Sequence, residues 1–221
     1  MDYTEIIKAR HSVRRYTDKK IEGETLEELN GIIDLCNRES GLNIQLYLDE
    51  PEAFSGRMAK YGRFHNVRNY LVLAGKRTKD FDEKCGYYGE KIVLEAQRLG
   101  LNTCWVALTY NKSKRKTDLA SDEKVMIVIA IGYGENQGVP HKSKPLEELY
   151  RVKGEAPEWF LQGVRMAQLA PTSINQQKFL FTLEGNTVKA TAGLAFYSKL
   201  DLGIVKYHFE IGAAGADWQW G

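Results

Sequence analysis

Ala170-Pro171-Thr172-Ser173-Ile174-Asn175-Gln176-Gln177 places two hydroxyls and three amides between two patterned segments. Before it, residues 155–170 read as an amphipathic helix. Pro171 stops that helix, because proline lacks the backbone N–H that the next turn would need. After it, Phe179, Phe181 and Leu183 alternate as a half-buried strand. Val188, Ala190 and Ala192 pair with that strand across Gly185-Asn186. The unit is therefore helix, polar turn, hairpin. Amide side chains can read the donor and acceptor edge of a planar heterocycle, and hydroxyls bond ribityl or phosphate oxygens. A plain polar turn capped by Asn or Ser reads the same residues equally well.

The same order recurs upstream. At an offset of 132 residues, the separation of Asn43 and Asn175, Leu29 meets Leu161, Gly31 meets Gly163 and Gln45 meets Gln177. Ile32 meets Val164, Leu42 meets Ile174 and Tyr47 meets Phe179. The upstream helix shows Leu26, Leu29, Ile32, Ile33 and Cys36 on one face, with Thr25 and Glu28 as a capping-box signal. Ile44, Leu46 and Leu48 then alternate as a strand. Both copies are read as a helix, a turn holding Asn-x-Gln, then a strand.

Between the copies, residues 70–74 are a short apolar run, residues 88–99 a helix stopped by Gly100, and residues 102–108 an extended apolar piece. Residues 125–131 are the clearest central strand. Residues 199–214 form the last helix, and Trp218 and Trp220 alternate at the end, exposed enough to serve a partner. Helices and strands interleave with no regular βαβ period, which predicts an α+β fold.

Composition sets the outer bounds. The chain has 221 residues, 43% hydrophobic and 27% charged, so it can bury a sizeable core. A net charge of +2 supports no non-specific nucleic-acid binding. Cys36, Cys85 and Cys104 have no metal-ligand spacing, and His11, His65, His141 and His208 are scattered, so no metal site is expected. With no apolar N-terminal core and no apolar run of membrane length, the expectation is a soluble cytoplasmic protein with three reduced thiols. The chain has no Gly-x-Gly-x-x-Gly, P-loop or Gly-x-Ser-x-Gly.

Two basic clusters stand out. Arg10-His11-Ser12-Val13-Arg14-Arg15-Tyr16 alternates so that Arg10, Ser12 and Arg14 share one side of an extended chain. Two guanidinium forks and a hydroxyl suit a phosphate, although a solvated basic segment also explains them. Lys142 and Lys144 share a side in the same way, and Pro145 restricts the backbone next to Lys144.

In order along the chain, these stretches resemble the nitroreductase family of FMN enzymes, in particular its TM-nitroreductase-like branch. The segment from Arg10 to Tyr16 resembles the family's Arg-x-Ser-x-Arg-x-aromatic signature. Leu101-Asn102-Thr103-Cys104-Trp105-Val106 resembles the segment passing the flavin's central ring. Lys142-Ser143-Lys144-Pro145-Leu146-Glu147-Glu148 resembles its late Lys-x-Arg-x-Pro-Leu-Glu-Glu pattern. The 170–177 stretch resembles Ala-Pro-Ser-x-x-Asn-x-Gln-Pro, with Lys178 in place of the last proline. In ordinary members that motif lies where this chain has Glu39-Ser40-Gly41-Leu42-Asn43-Ile44-Gln45. That slot keeps Asn43 and Gln45 and has lost the rest.

The resemblance implies a nitroreductase-like fold, a mixed or antiparallel sheet flanked by helices. It implies FMN held by Arg10, His11, Ser12, Arg14, Lys142, Lys144, Pro171, Thr172, Ser173, Asn175 and Gln177. Arg14 would sit near flavin N1 and O2, and the backbone amides of Ala107 and Leu108 would face N5. Ordinary members are homodimers in which each site takes the Asn-x-Gln turn from the neighbour. Here residues 1–150 resemble a nearly whole protomer and residues 155–221 a partial second one, an internally duplicated pseudo-dimer with one FMN. The implied activity is NAD(P)H-dependent reduction of small acceptors such as nitroaromatics or quinones by ping-pong hydride transfer, with the dinucleotide docking transiently in an open cleft. A non-catalytic flavin-binding sensor or carrier is the alternative. A monomer or a homodimer is compatible with this reading.

Overall fold

The structure is a computed structural model and describes residues 2–221. In chain order the elements are α1 (Tyr3–Ala9), α2 (Gly23–Ser40), β1 (Asn43–Tyr47), α3 (Arg57–Tyr61), β2 (Asn69–Lys76), α4 (Phe81–Arg98), β3 (Asn102–Val106), β4 (Glu123–Gly132), β5 (Tyr150–Val152), α5 (Glu158–Gln168), β6 (Phe179–Glu184), β7 (Thr187–Ala192), α6 (Ser198–Gly212) and β8 (Gln219–Trp220). Helices and strands build an α+β fold with one antiparallel and one mixed sheet.

The chain divides into two compact units. The first comprises Ala9–Phe81 and Lys91–Pro140. Its sheet has the order β1-β2-β4-β3, and every neighbouring pair is antiparallel. Tyr70 to Ala74 in β2 are fully buried, as a strand covered on both faces must be. One face of the sheet carries Tyr70, Val72, Val128, Ala130, Cys104 and Val106, in one cluster with Phe54, Tyr110 and Tyr16. The alternate residues Leu71, Leu73, Ile127, Ile129 and Ile131 are buried as well. Leu29, Ile33 and Cys36 of α2 recur every three to four residues and are buried. Gly41 ends α2 in the left-handed region at φ 70°, its N–H donating to the Asn37 carbonyl.

Two expectations fail in this unit. The Thr25–Glu28 capping box is not formed, because α2 already begins at Gly23 with Glu22 as its cap. Glu28 instead pairs with Arg98. The upstream Asn-x-Gln is also not a turn. Asn43 and Gln45 lie within β1, opposite Ala74 and Val72.

The second unit comprises, of the described residues, 2–8, Asp82–Glu90 and His141–Gly221. Its sheet has the order β5-β6-β7-β8, with β6 and β7 antiparallel and both outer strands parallel to their neighbours. An aromatic stack fills it. Phe181 and Phe209 stack at 4.7 Å, Phe160 meets Phe209 edge-on at 5.7 Å, and Trp218 does so at 5.1 Å. Trp218 and Trp220 are therefore half-buried rather than exposed. Their indole N–H groups donate to the Ala213 carbonyl at 3.3 Å and to Glu210 at 2.8 Å.

The helix read over residues 88–99 begins earlier, at Phe81, and so includes Gly86. In the fold it is required. A Cβ at Gly86 would lie 1.9 Å from the Leu200 carbonyl oxygen, and one at Gly203 would lie 1.9 Å from that of Glu83. The two helices meet backbone to backbone there, and the glycines permit it. Beside this contact, His208 and Glu90 form a wholly buried pair at 2.8 Å, and His208 Nδ1 lies 3.1 Å from the Met166 carbonyl oxygen.

Candidate functional site

In the first unit, the segment after α1 runs beside the edge strand β3. Ser12 bridges Thr103 in parallel sense, and Val13 N–H donates to the Thr103 carbonyl at 3.0 Å. The buried Tyr16 fixes the far end, its hydroxyl donating to the Val13 carbonyl at 2.7 Å. Val13 and Tyr16 enter the apolar cluster, which leaves the polar residues between them at the rim. Arg10 is only 3% exposed, Ser12 and His11 are half-buried, and Arg14 is exposed with its guanidinium 6.0 Å from the Phe64 ring centre.

Cys104 lies within reach of this group. Burial pushes its thiol pKa up, while Arg14, a hydrogen bond with Ser12 and Arg10 act in the opposite direction. Loop closure completes the rim. Asn102 accepts from Gly134 N–H at 3.0 Å and donates to Gln137 at 3.0 Å. Beyond it, Gly138 packs so tightly on His11 that a Cβ there would lie 2.7 Å from the His11 Cβ. At the exit of β3, Ala107 is half-buried and Leu108 is 58% exposed.

In the second unit, the 170–177 stretch is a braced turn. Ile174, Asn175 and Gln177 all adopt left-handed φ values, 46°, 56° and 47°. Such backbone is costly for a β-branched residue and persists only when its surroundings over-determine it. Asp201 of α6 supplies one brace. Its two carboxylate oxygens accept from Ser173 N–H at 3.0 and 3.1 Å, and Gln176 Nε2 donates to one of them at 2.6 Å. Burial raises the Asp201 pKa to about 6, against the opposing pull of the Gln176 and Ser173 hydrogen bonds.

Gln177 supplies the other brace, and it is buried. Its side-chain oxygen accepts from Lys144 N–H at 2.9 Å, and its amide donates to the Lys142 carbonyl at 2.9 Å. Asn175 donates to the same carbonyl at 2.7 Å. Lys144 Nζ donates to the Gln177 carbonyl at 3.0 Å. The structure thus brings the Lys142–Lys144 loop together with Thr172, Asn175 and Gln177. Pro171, Thr172 and Ser173 are half-buried and Lys142 is exposed.

Sequence reasoning missed Asp201 and Gln176 as braces. Their signal was present. Asp201 is a lone acid inside the apolar run Leu200, Leu202, Ile204 and Val205. Among the described residues, no group of three or more His, Cys, Asp or Glu could hold a metal ion, and no helix is long and apolar enough to cross a membrane.

The antiparallel sheet with the Arg-Ser-Arg segment along its edge strand is an α+β fold of the nitroreductase-like class, as likeness to solved structures shows. Solved structures share it. One described as a putative nitroreductase from Thermotoga maritima superposes with a TM-score of 0.69 at 21% identity, over 96% of this chain and 83% of that one. A nitroreductase family protein from Streptococcus pneumoniae gives 0.53 at 12% identity, over 66% and 98%. A putative NADH dehydrogenase/NAD(P)H nitroreductase from Parabacteroides distasonis gives 0.52 at 19% identity, over 67% and 96%. A search of the curated proteins gives no match. Residues 2–213 match the family described as Putative TM nitroreductase, and the chain belongs to that family. Its kinship is thus with nitroreductase-type oxidoreductases.

Proposed function

We propose that the protein is an FMN-dependent NAD(P)H oxidoreductase that reduces small acceptors such as nitroaromatics or quinones. The observation that carries this reading is the Arg10–Tyr16 segment, anchored along β3 in a chain of this family. Its donor set fits a phosphorylated flavin. A buried guanidinium and a half-buried hydroxyl can both donate to phosphate oxygens. FMN, when bound, supplies two-electron redox chemistry between the nicotinamide donor and the acceptor in turn.

The chain's own residues have separate tasks. Arg10, His11 and Ser12 bind, with Lys142 and Lys144 as further cationic ligands. Lys144 Nζ has one donor engaged by Gln177 and retains two. Arg14 carries an exposed positive charge that can stabilise negative charge on a reduced heterocycle. The backbone N–H groups of Ala107 and Leu108 are the proposed donors toward the redox centre. Pro171, Thr172, Ser173, Asn175 and Gln177 form the second proposed set, with Asn175 and Gln177 acting by holding the turn in shape. We also propose that the chain is an internal pseudo-dimer of residues 1–150 and 155–221, with one flavin.

The test is the visible spectrum of the purified protein, reconstituted with FMN, before and after anaerobic NAD(P)H. Flavin bands that bleach support the reading. Bands that persist would make the protein a flavin binder without this donor, and failure to take up FMN contradicts the proposal.

A further inference from the structure

We propose that the surface of α3 and the residues after it is the docking site for the pyrophosphate of the nicotinamide donor, an inference that rests on the oxidoreductase reading above. Residues 55–64 carry Arg57, Lys60 and Arg63 and no acidic residue. All three cations are exposed, and none makes an ion pair among the described residues. The neighbouring carboxylates behave differently. Asp49 is paired with Arg68, Glu50 with Lys116, Glu52 with Lys114 and Glu135 with Arg15. Residues 55–64 thus carry three exposed cations, while these four carboxylates are each engaged by another cation; Asp18, the further acid nearby, accepts from Asn66.

The placement of the segment gives this charge a purpose. Phe54 and Ala59 anchor it in the apolar cluster of the first unit. Gly62 is pressed on Thr109, where a Cβ would lie 2.6 Å from the threonine Cβ. Phe64 lies under the Arg14 guanidinium, and His65 N–H donates to the Arg14 carbonyl at 2.9 Å. The segment thus borders both Arg14 and the residue after Leu108, the two places proposed to face the redox centre. Its outer surface also presents Tyr61 at 82% exposure and Met58 at 48%. Guanidinium forks match diphosphate oxygens, and an exposed aromatic face accepts a purine ring. A dianionic linker carrying two flat heterocycles complements such a surface. A neutral donor without that linker gains nothing from it.

The experiment compares two hydride donors on the FMN-loaded protein: NADPH, and 1-benzyl-1,4-dihydronicotinamide, which is uncharged. Arg57→Ala/Lys60→Ala/Arg63→Ala is expected to lower the ratio of kcat/KM for NADPH over that for the benzyl donor on the order of tenfold. The loss should appear in KM, and titration with unreactive NADP⁺ should show a matching rise in Kd. In the parent protein, Kd for NADP⁺ should rise with salt, and the triple variant should flatten that slope. An unchanged ratio, Kd and salt slope overturns the docking site while leaving the oxidoreductase reading intact. Equal losses with both donors overturn it as well, because they indicate general damage. A parent protein that neither donor reduces defeats the oxidoreductase reading itself. The parent's salt slope needs no variant, and Arg63→Ala alone provides a milder second test.

Discussion

Residues 39–45 and 170–177 occupy corresponding places in the chain, each after a helix, yet they fold differently. In the first, Gly41 closes α2 and Asn43 enters the ladder at once, so Asn43 and Gln45 are strand residues. Their amides turn to the next loop. Gln45 Oε1 accepts from Asp118 N–H at 2.9 Å, and Asn43 donates to the Asp118 carbonyl at 3.0 Å and to Glu123 at 2.8 Å. In the second, Pro171 forbids such an immediate return. Ten residues separate α5 from β6, and three of them are left-handed. The segment that holds Pro171 is a shaped turn, and the segment that lacks a proline runs straight into a strand. One segment is a braced turn, and the other is part of a sheet.

The largest expected contrast comes from truncating the two glutamines. Gln177→Ala removes a buried amide that joins the turn to Lys142 and Lys144; it leaves the Lys144 N–H without its partner, while the Lys142 carbonyl keeps its bond from Asn175. We expect a loss of about 2–3 kcal/mol in urea unfolding, with FMN affinity falling at least about tenfold. Gln45→Ala should cost about 1 kcal/mol and leave FMN affinity unchanged. Equal flavin losses in both variants would erase the distinction between the two segments.

Next in size is the pH dependence that Asp201 gives to the braced turn. Its folded pKa of about 6 lies above its ordinary value of 3.8, so the native state holds the proton more tightly than the unfolded chain. Between those values the unfolded state binds fewer protons, and stability falls as pH rises. Asp201 therefore penalises the folded state above pH 6 by up to about 3 kcal/mol relative to acid conditions. Asp201→Asn removes that titration. The parent's stability relative to the variant should decline from pH 4 to 6 and level off above 7. A pH-independent difference would remove Asp201 as the titrating brace. The segment at Asn43 and Gln45 has no buried acid among the residues bonded to its amides, so Gln45→Ala should show no such pH dependence.

The smallest effects concern backbone strain. Ile174 is 93% exposed at φ 46°, so its side chain contributes little packing while its backbone is strained. Ile174→Asn should raise stability by about 0.5–1 kcal/mol, because asparagine tolerates the left-handed region. Gly41→Ala, at φ 70°, should lower it by about 1 kcal/mol. Thermal unfolding of the two variants should therefore shift in opposite directions.

The sequence made the periodic parts of the fold legible. The buried run of β2, the central strand β4, the β6–β7 hairpin and the helical faces of α2 and α5 all follow from side-chain spacing. What stayed hidden depended on contacts distant in sequence. The close approach of Gly86 to Leu200 leaves no periodic trace, and Trp218 and Trp220 looked exposed until Phe209 was seen beneath them. Among the candidate residues of the two units, Arg10, Ser12, Asn175 and Gln177 were visible as residue types. The internal role of Gln177 was not, because amide spacing does not reveal which carbonyls an amide will meet. Asp201 stood out as a lone acid in an apolar run, but the backbone groups it would hold did not.

The most direct test of the account is the number of flavins bound per chain, read by titrating the protein with FMN and following flavin fluorescence. The account expects saturation at one FMN per chain, with the affinity reduced by Gln177→Ala and untouched by Gln45→Ala. Saturation at two FMN per chain would contradict it, since the strand at Asn43 would then be serving as a second flavin turn.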